Sequence, residues 1–307
     1  MDLRLLENIV TIAEEHSISR AAGRLFISQP ALSQQLSKLE AQLGTPLFFR
    51  GKQDISLTQA GEIYVKNAIK ILAIRNETYN QIYDIASNRK GTFSIGVSPG
   101  RSPMIASMAY SKLLKEFPDF NVRVFGLDNA KTEEMILHRK LDLGFLLLTD
   151  EEVSSNLPFS YISLGREDMY LVTSRNHPLA SRYYQGSECP LIDLKLFQHE
   201  SFALPTKGAK IRRFVDDLFA SQGISPTIRY EVFNVQAIRT VVSRSNLCTI
   251  IPSGFLSKDN NLIHFRLKPN RFMDFAIAWN SNHHMITAEQ YFIELCQNIH
   301  HENQFIE

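Results

Sequence analysis

The hydrophobic pattern at the start of the chain predicts two short helices. Apolar residues recur at helical spacing at positions 6, 9, 10 and 13, which defines an amphipathic helix over residues 3–15. Ser17 or Ser19 can cap a second helix that extends to residue 26. Ala21 and Ala22 in that helix are small, so they let it cross a neighbouring helix closely.

A third helix follows and carries a more informative pattern. Ser28 can cap it, and Pro30 falls in its first turn, where a missing N–H costs nothing. Leucines at positions 32, 36, 39 and 43 form one apolar stripe, whereas the opposite face is polar and almost uncharged. Amides can pair with adenine edges and hydroxyls can reach bases or phosphates, so this face suits a DNA recognition helix. The alternative is an ordinary solvated face. The residues expected to contact DNA are Ser28, Gln29, Pro30, Ser33, Gln34, Ser37 and Lys38.

A short hairpin is predicted after the third helix. Residues 47–50 and 55–57 have strand character, and Arg50 and Lys52 lie at the turn between them. A basic hairpin beside a recognition helix forms a wing that can touch the DNA backbone or the minor groove. Residues 17–53 contain five basic residues and one acidic residue, in a chain whose formal net charge is only +1. Charge alone would fit a solvated surface equally well.

Residues 58–88 predict one long helix, because they contain no proline and only one glycine, in the first turn. A helix of ~30 residues would be about 45 Å long. Apolar residues keep a roughly heptad spacing along it, at positions 64, 68, 71, 82 and 85. Such a stripe exceeds what the small domain beside it can cover, so we expect antiparallel pairing with a second chain. The alternative is packing within its own chain. A dimer would present two recognition helices to two half-sites.

The rest of the chain alternates strands with helices, which predicts an α/β domain over residues 92–307. Two stretches, 93–148 and 169–251, share one βαβαβ layout. Crossovers near 162–166 and 266–270 would join these halves around a cleft. Ligands bind at the carboxyl ends of the strands in open α/β sheets. At 307 residues, with 44% hydrophobic and 21% charged residues, the chain suits two or three globular domains.

The best candidate for a ligand site is the turn between the first strand of this domain and its helix. It consists of Ser98, Pro99, Gly100, Arg101 and Ser102. Free backbone N–H groups and the positive end of the helix dipole favour an anion there. Arg101 could add a charged contact, and the alternative is that it is solvated or salt-bridged. The sequence thus favours a small anionic effector.

Residues 13–61 closely resemble the N-terminal domain of the LysR-type transcriptional regulators. The segments SQPALS (28–33) and LTQAG (57–61) carry the resemblance most specifically. The resemblance implies that Gln29, Pro30 and Ser33 contact the operator and that Arg50 touches the DNA backbone. Two departures are expected to change which operator is read. Gln34 stands where many members carry arginine, and Phe49 replaces an acid that commonly precedes the wing arginine.

A looser resemblance to the same family extends over the C-terminal part. It implies a periplasmic-binding-protein-like effector domain and pairing of linker helices into a dimer, with a tetramer as the larger assembly. Many members have a glycine-rich segment where this chain has SNLC (245–248), so the second half is less well matched. Four further positions match effector contacts of the family across the cleft, namely Leu148, Ala203, Leu204 and Asn234.

The predicted fold class is therefore an N-terminal all-α winged helix-turn-helix with a long linker helix, followed by a C-terminal α/β effector domain of two βαβ-type subdomains. The expected boundaries are 1–58 for the DNA-binding domain, 59–91 for the linker and hinge, and 92–307 for the effector domain. Within the effector domain, subdomain I comprises 92–163 and 268–307, and subdomain II comprises 164–267. The expected partners are a double-stranded DNA operator, a small-molecule effector, further copies of the chain and RNA polymerase.

Catalysis, cofactors and metals are not indicated. Residues 96–100 match G-x-S-x-G, but Pro99 lacks the N–H that a nucleophile elbow needs after its serine. The histidine pairs 283–284 and 300–301 lack metal-ligand spacing, and the three cysteines show no ligand or disulfide pattern. A redox role for Cys189 and Cys248 stays open. No signal peptide or membrane span is predicted, so a cytoplasmic location is expected. The rival interpretation, a transport-type ligand receptor, would require a signal peptide in place of a helix-turn-helix.

Overall fold

The structure is a computed structural model. It describes residues 2–50, 55–85, 90–184, 189–256, 259–268 and 270–304. The chain divides into two compact units, the first formed mainly by residues 1–87 and the second by most of residues 88–307.

The first unit is a helical domain with a short hairpin. Its elements are α1 (Leu3–Glu15), α2 (Ile18–Arg24), α3 (Gln29–Leu43), the antiparallel strands β1 (Phe48–Arg50) and β2 (Ile55–Leu57), and α4 (Gln59–Ile85). Ser17 and Ser28 cap α2 and α3 by accepting hydrogen bonds from backbone N–H groups, as the sequence predicts. α2 ends at Arg24, two residues earlier than expected, and Phe26 takes a left-handed conformation with φ of 55°.

The core of this unit lies between α1, α2 and α3. Leu6 and Ile9 of α1 and Leu32 and Leu36 of α3 are fully buried. The predicted leucine stripe on α3 is shorter than expected, because Leu43 is 46% exposed. Leu43 is the last residue of the helix, and Gly44 then turns the chain away with φ of 71°.

The LTQAG segment joins the hairpin to α4. Thr58 Oγ1 donates a hydrogen bond to the carbonyl of Pro46 over 2.8 Å and accepts one from the Gly61 amide over 3.0 Å. A side chain at Gly61 would collide with the Leu47 carbonyl. Glu40 of α3 accepts a hydrogen bond from the Leu47 amide over 2.8 Å. These contacts fix the hairpin against the end of α3 and the start of α4.

Helix α4 uses its apolar positions in two ways. Ala68 is buried, and Tyr64 and Ile71 pack partly buried against the core of their own domain. The expectation that this stripe needs a partner helix is therefore wrong for the first half of α4, because α1 lies beside it. In the second half, Ile74 and Ile82 are 54% and 53% exposed.

The second unit contains an α/β fold. Its first half comprises β3 (Lys90–Val97), α5 (Ser102–Glu116), β4 (Asp119–Gly126), α6 (Asn129–Leu137), β5 (Leu143–Thr149) and α7 (Asp150–Val153). The long strand β6 (Ser160–Ser174) leads to α8 (Pro178–Tyr183), β7 (Leu191–Asp193), β8 (Ser201–Pro205), α9 (Lys210–Ser221), β9 (Thr227–Val232), α10 (Val235–Val242) and β10 (Cys248–Pro252). The described chain ends with β11 (Leu262–Lys268), β12 (Phe272–Trp279) and α11 (Thr287–Gln304).

The strands of this unit form one curled sheet in the order β4-β3-β5-β12-β6-β10-β8-β9. In addition, β11 pairs with β6, and β7 pairs with β11. The strands β3, β4 and β5 of the first half are parallel, and so are β8, β9 and β10 of the second. The predicted first strand of the second half, residues 169–173, lies instead in β6 and is antiparallel to β10, so β8 takes its place in the layout. β6 is antiparallel to both β12 and β10, because it crosses from the first half into the second. The fold class predicted from the sequence is confirmed, with mixed rather than purely parallel pairing where the halves meet.

Candidate DNA-recognition and effector sites

The polar face of α3 lies on the surface. Gln29, Pro30, Gln34, Ser37 and Lys38 are exposed, and Ser33 is half-buried. Ser28 accepts a hydrogen bond from the Ala31 amide over 3.4 Å, so its hydroxyl also orients the first turn. The face therefore presents amides and hydroxyls on a helix whose opposite side is fixed in the core. This is the arrangement that major-groove readout requires.

Two of the basic residues counted in this region are already paired with acids. Arg24 Nη1 lies 2.9 Å from Glu14 Oε2 and 3.1 Å from Glu15 Oε1. The hydrogen bond with Glu15 is the main reason that the pKa of Arg24 lies above its ordinary value. Arg20 Nε lies 3.9 Å from Glu15 Oε2 and donates to the backbone carbonyl of Glu15 over 3.1 Å. The local excess of positive charge is thus smaller than the sequence count indicates, and it falls on Lys38 and the hairpin.

The tip of the hairpin is described only in part. Arg50 is the last residue of β1, and its backbone pairs with Ile55. The side chain of Arg50 and all of Lys52 lie outside the described residues.

The candidate effector site lies where β3 and β5 end, a region termed here the carboxyl edge. The turn Ser98–Ser102 leads from β3 into α5. Ser102 is buried, and its hydroxyl donates to the Ser98 carbonyl over 2.8 Å. Gly100 has φ of 140°, and a side chain there would collide with the ring of Phe255, so glycine is required at this position.

Arg101 does not extend into solvent. Its guanidinium forms an ion pair with Glu167 of β6, and the exposed fractions of the two side chains are only 14% and 3%. The Ser253 hydroxyl donates to Glu167 Oε2 over 2.8 Å, and the Gly254 amide donates to the same oxygen. The guanidinium carbon also lies 5.2 Å from the ring centroid of Phe275. The sequence left open whether Arg101 is solvated or salt-bridged. In the structure Arg101 is salt-bridged, and the ion pair is buried rather than at the surface.

His300 is a second titratable group near this ion pair. Its ring packs against that of Phe275, with 5.6 Å between the centroids. Burial, followed by the charge of Arg101, lowers the pKa of His300 to about 4. The imidazole is therefore neutral at physiological pH.

Lys210 forms a second charged contact between the two halves. From the first turn of α9, its Nζ pairs with Glu152 of α7 and lies 3.5 Å from Glu133 Oε1 of α6. Burial favours the neutral form of Glu152, but the hydrogen bonds from Lys210 and from the Thr149 amide outweigh it and lower the pKa of this carboxyl. Close by, Arg271 Nη2 lies 3.3 Å from Asp150 Oδ1. Each of these cations at the carboxyl edge therefore has a carboxylate partner.

The other predicted effector positions are placed less favourably. Leu148, Ala203 and Leu204 are fully buried, so their side chains present no surface to a ligand. Asn234 is exposed, and it caps α10 by accepting a hydrogen bond from the Gln236 amide over 2.8 Å.

Within the turn, Pro99 and Gly100 are exposed, and Ser98 is half-buried. Glu167 and Lys210 were missed because nothing in the local pattern marks them.

The three cysteines, all within the described residues, carry no disulfide. Cys189 Sγ lies 3.1 Å from the His264 carbonyl, and Cys248 Sγ lies 3.6 Å from His177 Nε2. Burial raises the pKa of the Cys248 thiol well above its ordinary value, which disfavours the reactive thiolate.

Two family models match the two parts of the chain. Residues 3–62 match the model of the bacterial regulatory helix-turn-helix protein, lysR family, and residues 86–299 match the LysR substrate binding domain. An uncharacterized HTH-type transcriptional regulator of Bacillus subtilis, YcgK, is 25% identical over 96% of this chain and 94% of its own length.

Solved structures show the same fold. CbnR complexed with its target DNA has a TM-score of 0.64 and 20% identity, covering 97% of this chain and 99% of its own. A full-length OxyR variant from Pseudomonas aeruginosa has a TM-score of 0.68 and 23% identity, covering 98% and 94%.

The chain belongs to the LysR family of transcriptional regulators. It is a DNA-binding transcription regulator with a substrate-binding domain, as the sequence predicts, and its relatives are regulators rather than enzymes. None of the helices in the described part of the chain is both long enough and apolar enough to cross a membrane.

Proposed function

We propose that this regulator reads its operator with the polar face of α3 and the hairpin, and responds to a small anionic effector bound at the carboxyl edge. In the proposed domain organisation, residues 1–58 form the DNA-binding domain, residues 59–91 the linker and residues 92–307 the effector domain. The observation that carries the effector proposal is the turn Ser98–Ser102, which opens α5 beside the cations of the carboxyl edge. Backbone N–H groups at a helix start and nearby cations favour a carboxylate or similar group.

The ion pairs of the carboxyl edge suggest how an anion would act. Arg101 and Lys210 are neutralised by carboxylates of the protein itself, and both pairs join the two halves of the domain. An anionic effector would compete with Glu167 or Glu152 for these cations. If a ligand replaced one of these carboxylates at its cation, an ion pair between the halves would be lost and a contact between the cation and the ligand would form. Such an exchange couples binding to the arrangement of the halves.

A panel of small carboxylates, each paired with its uncharged amide, tests this proposal on the full-length protein. A bound effector raises the melting temperature by mass action. We expect at least one acid to raise it while its amide does not. Equal shifts from an acid and its amide would contradict the anionic character of the effector.

The hydroxyl of Ser98 provides the residue-level test. Ser98→Ala should weaken binding of the active acid by at least about 10-fold, since a hydrogen bond to a charged group contributes about 1.5–3 kcal/mol. Ser107→Ala is the matched control, because Ser107 is exposed on the outer side of α5, the helix that follows the turn. The melting temperature is followed against acid concentration for both variants. Unchanged affinity in Ser98→Ala would place the effector elsewhere.

We also infer that two chains pair through the second half of α4. Ile74 and Ile82 are exposed there, at 54% and 53% of their surface, and an exposed pair of isoleucines on one helix favours burial against a second chain. Ile74→Asp/Ile82→Asp should convert the dimer to monomers, because two carboxylates would be buried in the interface. Asn76→Asp adds one carboxylate on the opposite side of the helix and should leave the dimer intact. Sedimentation velocity measures both, and a dimer that persists in the double variant would contradict this interface.

A further inference from the structure

A second polar cluster lies away from the carboxyl edge, at the opposite end of β5. Asp142 immediately precedes β5, His283 lies in the loop between β12 and α11, and Glu289 is in the first turn of α11. The ligand-type atoms of these three side chains all lie within 4.8 Å of one another. β5 ends at the carboxyl edge with Thr149, so the effector site and this cluster are at different edges of the sheet.

The partners of each side chain hold the cluster in place. Asp142 Oδ2 accepts hydrogen bonds from the Ser94 amide over 2.6 Å and from the Ser94 hydroxyl over 2.7 Å. His283 Nε2 lies 2.8 Å from Glu289 Oε2, and the same oxygen accepts a hydrogen bond from the Ile286 amide over 3.1 Å. The geometry is thus fixed from a strand, a loop and a helix.

One atom of this cluster is left unsatisfied. Glu289 has no exposed surface, and among the described residues its Oε1 has no hydrogen-bond partner. Burial raises the pKa of Glu289 above its ordinary value, and the nearby charge of Asp142 acts in the same direction. A buried carboxylate oxygen without a partner is costly, and a cation is one group that would satisfy it.

We propose that Asp142, His283 and Glu289 form a binding site for a divalent transition-metal ion of the Zn²⁺ type. One imidazole and two carboxylates supply the nitrogen and oxygen donors that Zn²⁺ accepts. Ligand atoms on a tetrahedral Zn²⁺ at about 2.0–2.2 Å lie about 3.3–3.6 Å apart. The ligand atoms of the cluster lie within 4.8 Å of one another, so the widest pair must close by at most about 1.5 Å on binding. His283 and Asp142 are only partly buried, which leaves room for water as a fourth ligand.

The ion would replace the hydrogen bond between His283 and Glu289. Its ligands must be a neutral imidazole and ionised carboxylates, so binding releases any proton that the pair holds. The hydrogen bonds from Ser94 to Asp142 would orient that carboxylate toward the ion. A bound ion would join the start of β5, the loop before α11 and the first turn of α11. Local sequence spacing does not reveal this site, because its ligands are far apart along the chain.

Cobalt binding tests the proposal on the full-length protein after removal of metals with a chelator. Co²⁺ is the probe, since its visible absorption reports coordination by protein ligands, and Zn²⁺ is then added as competitor. We expect one Co²⁺ per chain, displaced by one Zn²⁺. His283→Gln and Asp142→Asn should each weaken binding by at least about 10-fold. His284→Gln is the matched control, because it changes the exposed neighbouring histidine and should bind as the wild type does.

Two results would overturn the site. If wild-type protein binds no stoichiometric Co²⁺, the cluster holds only a shared proton. If Co²⁺ binds equally well to His283→Gln and Asp142→Asn, the ion is elsewhere in the chain. The first result needs only folded wild-type protein and does not depend on the stability of either variant.

Discussion

Gln29→Ala is expected to lower the affinity for operator DNA by at least about 30-fold. Gln29 is exposed in the first turn of α3, where a recognition helix approaches base edges. A bidentate contact between an amide and adenine contributes about 1–3 kcal/mol of discrimination, and a dimer makes it twice. The change removes no charge, so the slope of log affinity against log salt should stay the same.

Fluorescence anisotropy with DNA from upstream of neighbouring genes measures this effect. Gln42→Ala is the matched control, because Gln42 is also an exposed glutamine of α3 but lies in its last turn. We expect wild-type affinity for Gln42→Ala. Equal affinities for the two variants would show that the start of α3 does not read bases. A changed salt slope in Gln29→Ala would show that the variant has lost phosphate contacts, and hence its docking geometry.

Arg101→Ala is expected to destabilise the folded protein by about 3–5 kcal/mol, because it leaves the buried carboxylate of Glu167 without its cation. The hydrogen bonds from Ser253 and Gly254 remain, which favours the lower end of that range. Urea denaturation followed by circular dichroism measures the loss. Arg101→Met/Glu167→Gln should recover most of it, since neither charge then remains buried.

Lys131→Ala provides the control for this experiment. Lys131 pairs with Glu134 over 2.8 Å, but both side chains are about half exposed, so the expected loss is below about 1 kcal/mol. If Arg101→Ala costs no more than Lys131→Ala, the pair with Glu167 is not a buried structural contact. The distinction matters for function, because a lost effector response in Arg101→Ala could reflect unfolding alone. Ser98→Ala is therefore the better probe of the ligand site.

The DNA-binding unit could be predicted closely because its signals are local. The cap at Ser28, the proline after it and the glycine that ends α3 each act within one helical turn. The LTQAG segment is identified by resemblance to the family. The structure gives a physical reason for its glycine: the carbonyl of Leu47 lies so close to Gly61 that no side chain fits there. The leucine pattern wrongly predicts that Leu43 is buried with the rest of the stripe on α3, because the spacing of apolar residues does not show where the neighbouring helices stop.

The effector unit was predicted well in its elements but poorly in its side-chain contacts. The pairing of Arg101 with Glu167 joins residues 66 positions apart, and only the crossing of β6 between the halves brings them together. The same holds for Asp142 and Glu289, which meet because β12 returns beside β5. Periodicity reports which face of an element is buried and not which polar groups meet there.

Footprinting of the full-length protein on upstream DNA tests directly whether two α3 helices read two half-sites. We expect two protected segments on one face of the duplex, separated by one helical turn or a whole number of turns. Both segments should disappear in Gln29→Ala at concentrations where Gln42→Ala still protects them. Uniform protection along the fragment, or none at concentrations that saturate anisotropy, would contradict sequence-specific recognition by paired α3 helices.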